Sequence, residues 1–207
     1  MTIYAATTNA GKLAEFAASA GGYGVGVEAL PGLKEMAEPV EDAATFMGNA
    51  ELKAVAYSLA APGLLVFADD SGLEVAALGG EPGVRSARYA EDAGLGGRGM
   101  GKDARNNAYL LERLKGVPQA ARGARFVCAL ALARDGVVVL RAEGTAEGVV
   151  LETARGEGGF GYDPLFLLLE LGVTAAELPR EQKWELSHRG KAFRALLAEM
   201  ERTGRAG

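Results

Sequence analysis

The chain has 207 residues, 49% hydrophobic and 24% charged, a length and balance suited to one soluble globular domain with its own core. A net charge of −5 leaves no basic footprint for duplex nucleic acid, and the single cysteine, Cys128, excludes an internal disulfide, a thiolate zinc cluster and a CxxC redox pair. The start, MTIYAATTNAGK, lacks the basic and apolar blocks of a signal peptide, and the longest apolar stretch, PLFLLLELGVTAAEL, is broken by Glu170 and too short for a bilayer; the expectation is a cytoplasmic protein that partners neither membrane nor nucleic acid.

Thr2 to Ala6 reads as a short buried strand, and Gly11 to Ala20 as a helix, with Leu13, Phe16, Ala17 and Ala20 at helical spacing. Between them lies TTNAGK, where free backbone N–H groups and the helix dipole favour an anion. Asn9 could donate a hydrogen bond and Lys12 a charge to a phosphate, although an ordinary helix start explains the same residues. Gly21 to Met36 is Gly-rich, with an edge strand at Val25 to Leu30. A helix is then expected from about Thr45 to Leu59, with Thr45 as N-cap. On it Phe46, Ala50, Ala54 and Tyr57 mark a core stripe, while Asn49 and Lys53, one turn apart, share a polar stripe that borders either a cleft or solvent.

Leu64 to Ala68 reads as a second strand, and Leu73 to Leu78 continues extended into the turn GGEPG. Between these runs FADDSGLEV sets Asp69 and Asp70 side by side. Two adjacent carboxylates with no partner would repel and one pKa would rise, so a cation or a division of roles is implied; a surface pair bridged to Arg or Lys is the plainer alternative. With one histidine and one cysteine in the chain, oxygen ligands dominate, and carboxylates with phosphate oxygens suit Mg²⁺.

AEDAGLGGRGMGKD reads as a surface loop before a helix from about Asp103 to Leu114. Within it Gly96, Gly101 and Lys102 satisfy GxxxxGK, but Asp103 replaces the Ser or Thr of a phosphate loop and no strand precedes it. RFVCALALARDGVVVLRAEGTAEG is a hairpin turning at Asp135-Gly136, a dipeptide suited to a type I′ turn, with Cys128 a core residue of an alternating strand. GEGGFGYDPLF is a turn-dense loop leading into another strand; its aromatics could clamp a nucleobase or pack into the core. KWELSHRGKAF holds the only histidine, His188, beside Ser187 and Arg189, just before a last helix whose Phe193, Leu196, Leu197 and Met200 share one face. Neither Ser71 nor Ser187 sits in a GxSxG elbow, so serine catalysis is set aside.

In order and spacing, TTNAGK, VEDAATFMGNAELKA, FADDSGLEV, PGVRSARYA, GGFGYDPLF and EQKWELSHRGKAF resemble the inosine triphosphate pyrophosphatase family, the dITP/XTP pyrophosphatases, over nearly the whole chain. The resemblance implies a single α/β domain spanning residues 1–207, an elongated mixed β-sheet flanked by helices, with two lobes around a central nucleotide-binding cleft, usually as a homodimer. It implies Mg²⁺-dependent hydrolysis of ITP, dITP and XTP to the monophosphate and pyrophosphate. Asp70 would be the general base and metal-linked carboxylate, Glu41 would help hold Mg²⁺, and Asp69 would orient or share that shell. Thr7, Asn9, Lys12, Lys53 and Ser71 would contact the triphosphate. Phe160, in one turn with Gly161 and Tyr162, would stack on the base, with Asp163, Lys183, His188 and Arg189 at its edge.

One position departs from the family, which often carries a carboxylate where this chain has Gly48, with Glu51 one turn onward. Two other readings compete, a Maf-like pyrophosphatase of other nucleotides and a nucleotide sensor without turnover. The SHR and FGYD segments argue against the first, and intact Asp70, Glu41 and Lys53 against the second.

Overall fold

The computed structural model describes residues 1–97 and 99–204. Seven strands lie in the order β2-β1-β3-β4-β5-β6-β7: β1 Thr2–Ala5, β2 Gly26–Ala29, β3 Val66–Val75, β4 Gly123–Arg134, β5 Val137–Val150, β6 Phe166–Leu168 and β7 Val173–Thr174. β1 pairs parallel with β2 and β3, whereas β6 pairs antiparallel with β5 and β7, so the sheet is mixed. The helices are α1 Ala10–Ala20, α2 Phe46–Ala60, α3 Tyr89–Asp92, α4 Lys102–Arg113, α5 Arg180–Leu186 and α6 His188–Arg202. The chain divides into two compact units: Met1–Asp70, Cys128–Thr145 and Ser187–Gly207 form the first, and Ser71–Val127 with Ala146–Leu186 the second.

In the first unit β1 steps to β2 through α1, and β2 steps back past β1 to β3 through α2. Parallel crossovers are right-handed, so two steps in opposite directions put α1 and α2 on opposite faces of the sheet. On the α1 face Phe16, Phe67 and Phe193 of α6 meet with ring centroids 4.7 to 5.5 Å apart, all three essentially inaccessible to solvent. Each such burial is worth about 1.5–3 kcal/mol. On the other face Tyr57 of α2 packs with Leu30 and Val66. Leu196, Leu197 and Met200 are fully buried beside Phe193, as the helical spacing predicts.

The second unit is built on a cluster that includes Leu73, Tyr89, Leu110, Leu114, Phe126, Tyr162 and Phe166. Its α4 presents Asn106, which donates to the carbonyls of Ser86 and Ala87 and accepts from the Ala90 N–H, tying down the PGVRSARYA segment. Gly72 admits the same segment: a Cβ there would lie 2.6 Å from the Gly83 carbonyl oxygen.

Several expected elements change. The two runs around Asp69 and Asp70 are one ten-residue strand, β3, so the carboxylates lie inside a strand and not at its end. Tyr89–Asp92 is a short helix where a loop was expected, and α5 was not foreseen. Cys128 is buried, but in a strand buried on both faces from Phe126 to Ala133, not an alternating one. The GxxxxGK stretch leads directly into α4 with turn and bend before it; its Arg98 lies outside the described residues. The hairpin turn is as expected, with Asp135 and Gly136 both at positive φ, 50° and 79°.

Candidate active site

Strand geometry decides what Asp69 and Asp70 face. Successive side chains on a strand leave on opposite faces. Asp69 therefore shares the α1 face with Phe67, and Asp70 turns to α2. Lys12 of α1 donates to Asp69 Oδ2 at 2.8 Å, and Arg189 Nε of α6 lies 3.7 Å from the same oxygen. Burial works to raise the Asp69 pKa, but Lys12 and Arg189 overcome it and hold the carboxylate well below its usual range. Asp69 is thus an anchor whose charged form is favoured by its cationic partners.

Asp70 has weaker compensation. Its Oδ2 accepts from Asn49 Nδ2 at 3.0 Å and its Oδ1 lies 3.6 Å from Lys53 Nζ. Burial raises its pKa, and the Lys53 charge and the Asn49 hydrogen bond reverse this only in part. Asn49 is completely buried, and its Oδ1 accepts from the Ala43 N–H, which commits its NH₂ to Asp70. Lys53 also donates to Glu41 Oε2 at 3.1 Å. Burial opposes its charge, but Asp70 and Glu41 more than offset this and raise its pKa, so the ammonium persists. Pleating turns the two side chains to opposite faces of β3, so neighbouring carboxylates acquire different partners and pKa shifts in opposite directions.

At the strand ends of this unit a cavity of 440 Å³ is lined by Thr7, Lys12, Glu41, Lys53, Tyr57 and Asp69, together with Lys34 and Glu38. The TTNAGK start caps itself: Asn9 Oδ1 accepts from the Lys12 N–H at 3.0 Å, and Thr7 Oγ1 accepts from the Asn9 N–H. Among the described residues no group of three or more His, Cys, Asp and Glu is gathered for a metal. Glu41 and Asp70 instead converge on the Lys53 ammonium. Two such oxygen donors fit a hard cation that takes one or two protein carboxylates and fills its sphere with water and phosphate oxygens.

Gly48 is the third residue of α2, and a Cβ there would lie 2.7 Å from the Ala43 Cβ. Glu51 does not replace the missing carboxylate, because it is ion-paired with Arg141.

Ser71, half-buried, begins the second unit, whose other candidates gather on the GFGYDP turn. Asp163 is buried, and its Oδ2 accepts from the Phe160 N–H at 2.8 Å and from Lys183 Nζ at 2.5 Å. Lys183 also sits 5.3 Å from the centre of the Phe160 ring. Gly159, at φ 74°, is required there, since a Cβ would collide with the Asp163 carboxylate and the Lys183 ammonium. The two aromatics of the turn divide: Tyr162 packs inward and donates to the Ser86 carbonyl, while Phe160 stays 49% exposed.

His188 and Arg189 are buried at the start of α6 and belong to the first unit. Ser187 caps that helix, its Oγ accepting from the Gly190 N–H at 3.1 Å. Glycine at 144 lets the helix start approach β5, because a Cβ would collide with the His188 carbonyl and the Ala192 nitrogen. Arg189, expected at a base edge, has Asp69 as its carboxylate partner. Asn49 is the residue that sequence reasoning left out of the site. Its signal was present: an amide one turn before Lys53, on a helix whose neighbouring stripe is apolar.

The Ham1 family profile matches residues 3–199. A dITP/XTP pyrophosphatase of Acidobacterium capsulatum is 53% identical over 97% of this chain and 98% of its own. One from a strain of Thermus thermophilus is 50% identical over 95% of this chain and 90% of its own. Among solved structures the Ham1 protein of Staphylococcus aureus aligns with a TM-score of 0.83 at 37% identity, covering 98% of this chain and all of that one. A nucleoside-triphosphatase/dITP/XTP pyrophosphatase of Mycobacterium abscessus gives 0.73 at 41%, covering 95% and 99%. With its mixed seven-stranded α/β fold and a profile match over almost its full length, the chain belongs to the Ham1 family.

Proposed function

We propose that this chain hydrolyses the non-standard purine nucleoside triphosphates ITP, dITP and XTP to the monophosphate and pyrophosphate. The observation that supports the mechanism is the different partners of the two carboxylates, Lys12 and Arg189 at Asp69, Asn49 and Lys53 at Asp70. Asp70, held by Asn49 beside Lys53, is the base that takes a proton from water as the water oxygen bonds to the α-phosphorus. The bond from that phosphorus to the α,β-bridging oxygen breaks, and pyrophosphate leaves. Asp69 is a positioning residue that keeps Lys12 and Arg189 in place. Lys12 and Lys53, with Thr7, Asn9 and Ser71, offset charge on the phosphates, where fixed cations are most effective.

Glu41 and Asp70 are the residues that would hold Mg²⁺, whose chemistry there is neutralisation of phosphate charge. Phe160 stacks on the purine, with Gly161 and Tyr162 shaping the turn and Asp163 fixing Lys183 beside the ring. Lys183, beside the Phe160 ring in the same unit, supplies a donor for the 6-oxygen that hypoxanthine and xanthine carry and adenine lacks. A donor left facing the adenine amino group stays unpaired, which supports discrimination between the bases. The homodimer and the cytoplasmic location rest on the family resemblance and belong to the same reading.

The test is hydrolysis of ITP, XTP, dITP, ATP and GTP with and without Mg²⁺, separating pyrophosphate from phosphate. Pyrophosphate with IMP or XMP, Mg²⁺-dependent, with ATP and GTP largely untouched, is the expected result. Phosphate as the sole inorganic product would place attack at the terminal phosphorus and overturn the mechanism.

A further inference from the structure

The GFGYDP turn is held from within by the Asp163 carboxylate on the Phe160 N–H, and from outside by α4. Gly161, at φ 62°, follows Phe160, and both its backbone groups are taken by side chains of α4. Its N–H donates to Asp103 Oδ2 at 2.7 Å, and its carbonyl accepts from Asn107 Nδ2 at 3.0 Å. Asp103 and Asn107 are one helical turn apart and so reach the same peptide segment. Asn106, between them, anchors the Ser86–Ala90 segment, whose Ser86 carbonyl in turn accepts from the Tyr162 hydroxyl. One face of α4 therefore sets the height and tilt of the turn on which the half-exposed Phe160 ring stands.

We propose that Asp103 and Asn107 are positioning residues for the purine-stacking platform, acting on base affinity through Gly161 and the Phe160 ring. This rests on the assignment of Phe160 to the base. It gives a function to the Asp that disqualifies GKD as a phosphate loop. Because Asp103 and Asn107 bond the stacking turn and have no role assigned at the phosphates or the attacking water, their removal should weaken base binding and leave the chemical step intact.

A double-mutant cycle tests it, with steady-state kinetics on ITP and binding of IMP by calorimetry. Asp103→Ala should raise KM and the IMP dissociation constant roughly tenfold, the scale of a hydrogen bond to a charged acceptor, with kcat changed less than about twofold. Asp103→Asn, which keeps an acceptor oxygen, should recover most of the loss. In a Phe160→Ala background Asp103→Ala should add little, since both act through one ring. If Asp103→Ala proves poorly folded, Asn107→Asp removes one donor at the same peptide and carries the same expectations. Equal effects with and without Phe160, or unchanged KM in Asp103→Ala and Asn107→Asp while Phe160→Ala loses affinity, would overturn the platform role alone. Absence of ITP turnover and IMP binding in the unaltered protein would remove the functional reading and this inference with it.

Discussion

Asp69 and Asp70 are chemically identical neighbours that the fold makes unlike. Asp69 is the more buried and the better compensated, with Lys12 at 2.8 Å and Arg189 at 3.7 Å. A carboxylate whose folded pKa is depressed contributes stability that is present above its unfolded pKa, about 3.9, and lost as the pH falls toward the folded value. Lys12→Met should therefore destabilise the chelator-treated protein at pH 7 by about 1.5–3 kcal/mol, the value of a hydrogen bond to a charged group. It should also move the acid-unfolding midpoint to higher pH, since less of the depression survives; an unchanged midpoint in denaturation series would show that Arg189 alone compensates Asp69. Asp70→Asn belongs to the other function. It should lower kcat by about 10²–10⁴, the usual contribution of a general base, while ITP still binds in a calorimeter. Loss of binding together with rate would assign Asp70 to substrate affinity. At the second unit, Phe160→Ala should weaken IMP binding by about 1–3 kcal/mol, the value of a lost base stack.

Single strands and helices explain why these pairs form. β3 reads as two runs because Ala-Asp-Asp-Ser-Gly is poor strand sequence, yet it is continuous in a sheet where it lies between β1 and β4, and tertiary context overrides propensity. Once β3 is continuous, the division of Asp69 from Asp70 follows from its period of two. α2 shows the reverse case. Thr45 was legible as its N-cap, and its Oγ1 does accept from the Gly48 N–H at 3.0 Å. Gly48 itself was not legible, because its reason is the loop packed against it. Alanine gains about 1 kcal/mol over glycine in a helix interior and less in the first turn, where Gly48 lies, and here the added Cβ displaces Ala43, whose N–H orients Asn49. Gly48→Ala should therefore reduce kcat with little gain in melting temperature; a clear thermal gain at full activity would show that the 43–45 segment yields freely.

The candidates for the phosphates and the attacking water fall in the first unit, apart from Ser71, which begins the second, and the stacking turn falls in the second. A ligand that binds the folded chain and not the unfolded one stabilises it. A nucleotide at 100 times its dissociation constant adds about 2.7 kcal/mol, and each kcal/mol shifts the melting temperature of a chain this size by about 2–4 °C. The Asp70→Asn variant with ITP and Mg²⁺ should thus melt roughly 5–10 °C higher than without nucleotide, and ATP should give a markedly smaller shift. Equal shifts from ITP and ATP in a thermal scan would sink the proposed base selection.

By itself the sequence determined what depends on near neighbours. The Asp-Gly turn follows from two residues that tolerate positive φ, the face of α6 from a spacing of three and four, and the caps at Thr45 and Ser187 from side chains that reach only three residues on. The order of six motifs also carried the family. Tertiary structure alone decided which partner each charge received, because Lys12 and Asp69 are 57 residues apart, Asn49 and Asp70 are 21, and Asp103 and Gly161 are 58. Such pairings are set by crossover handedness, strand order and the side of the sheet a residue faces. None of these is written in a local window.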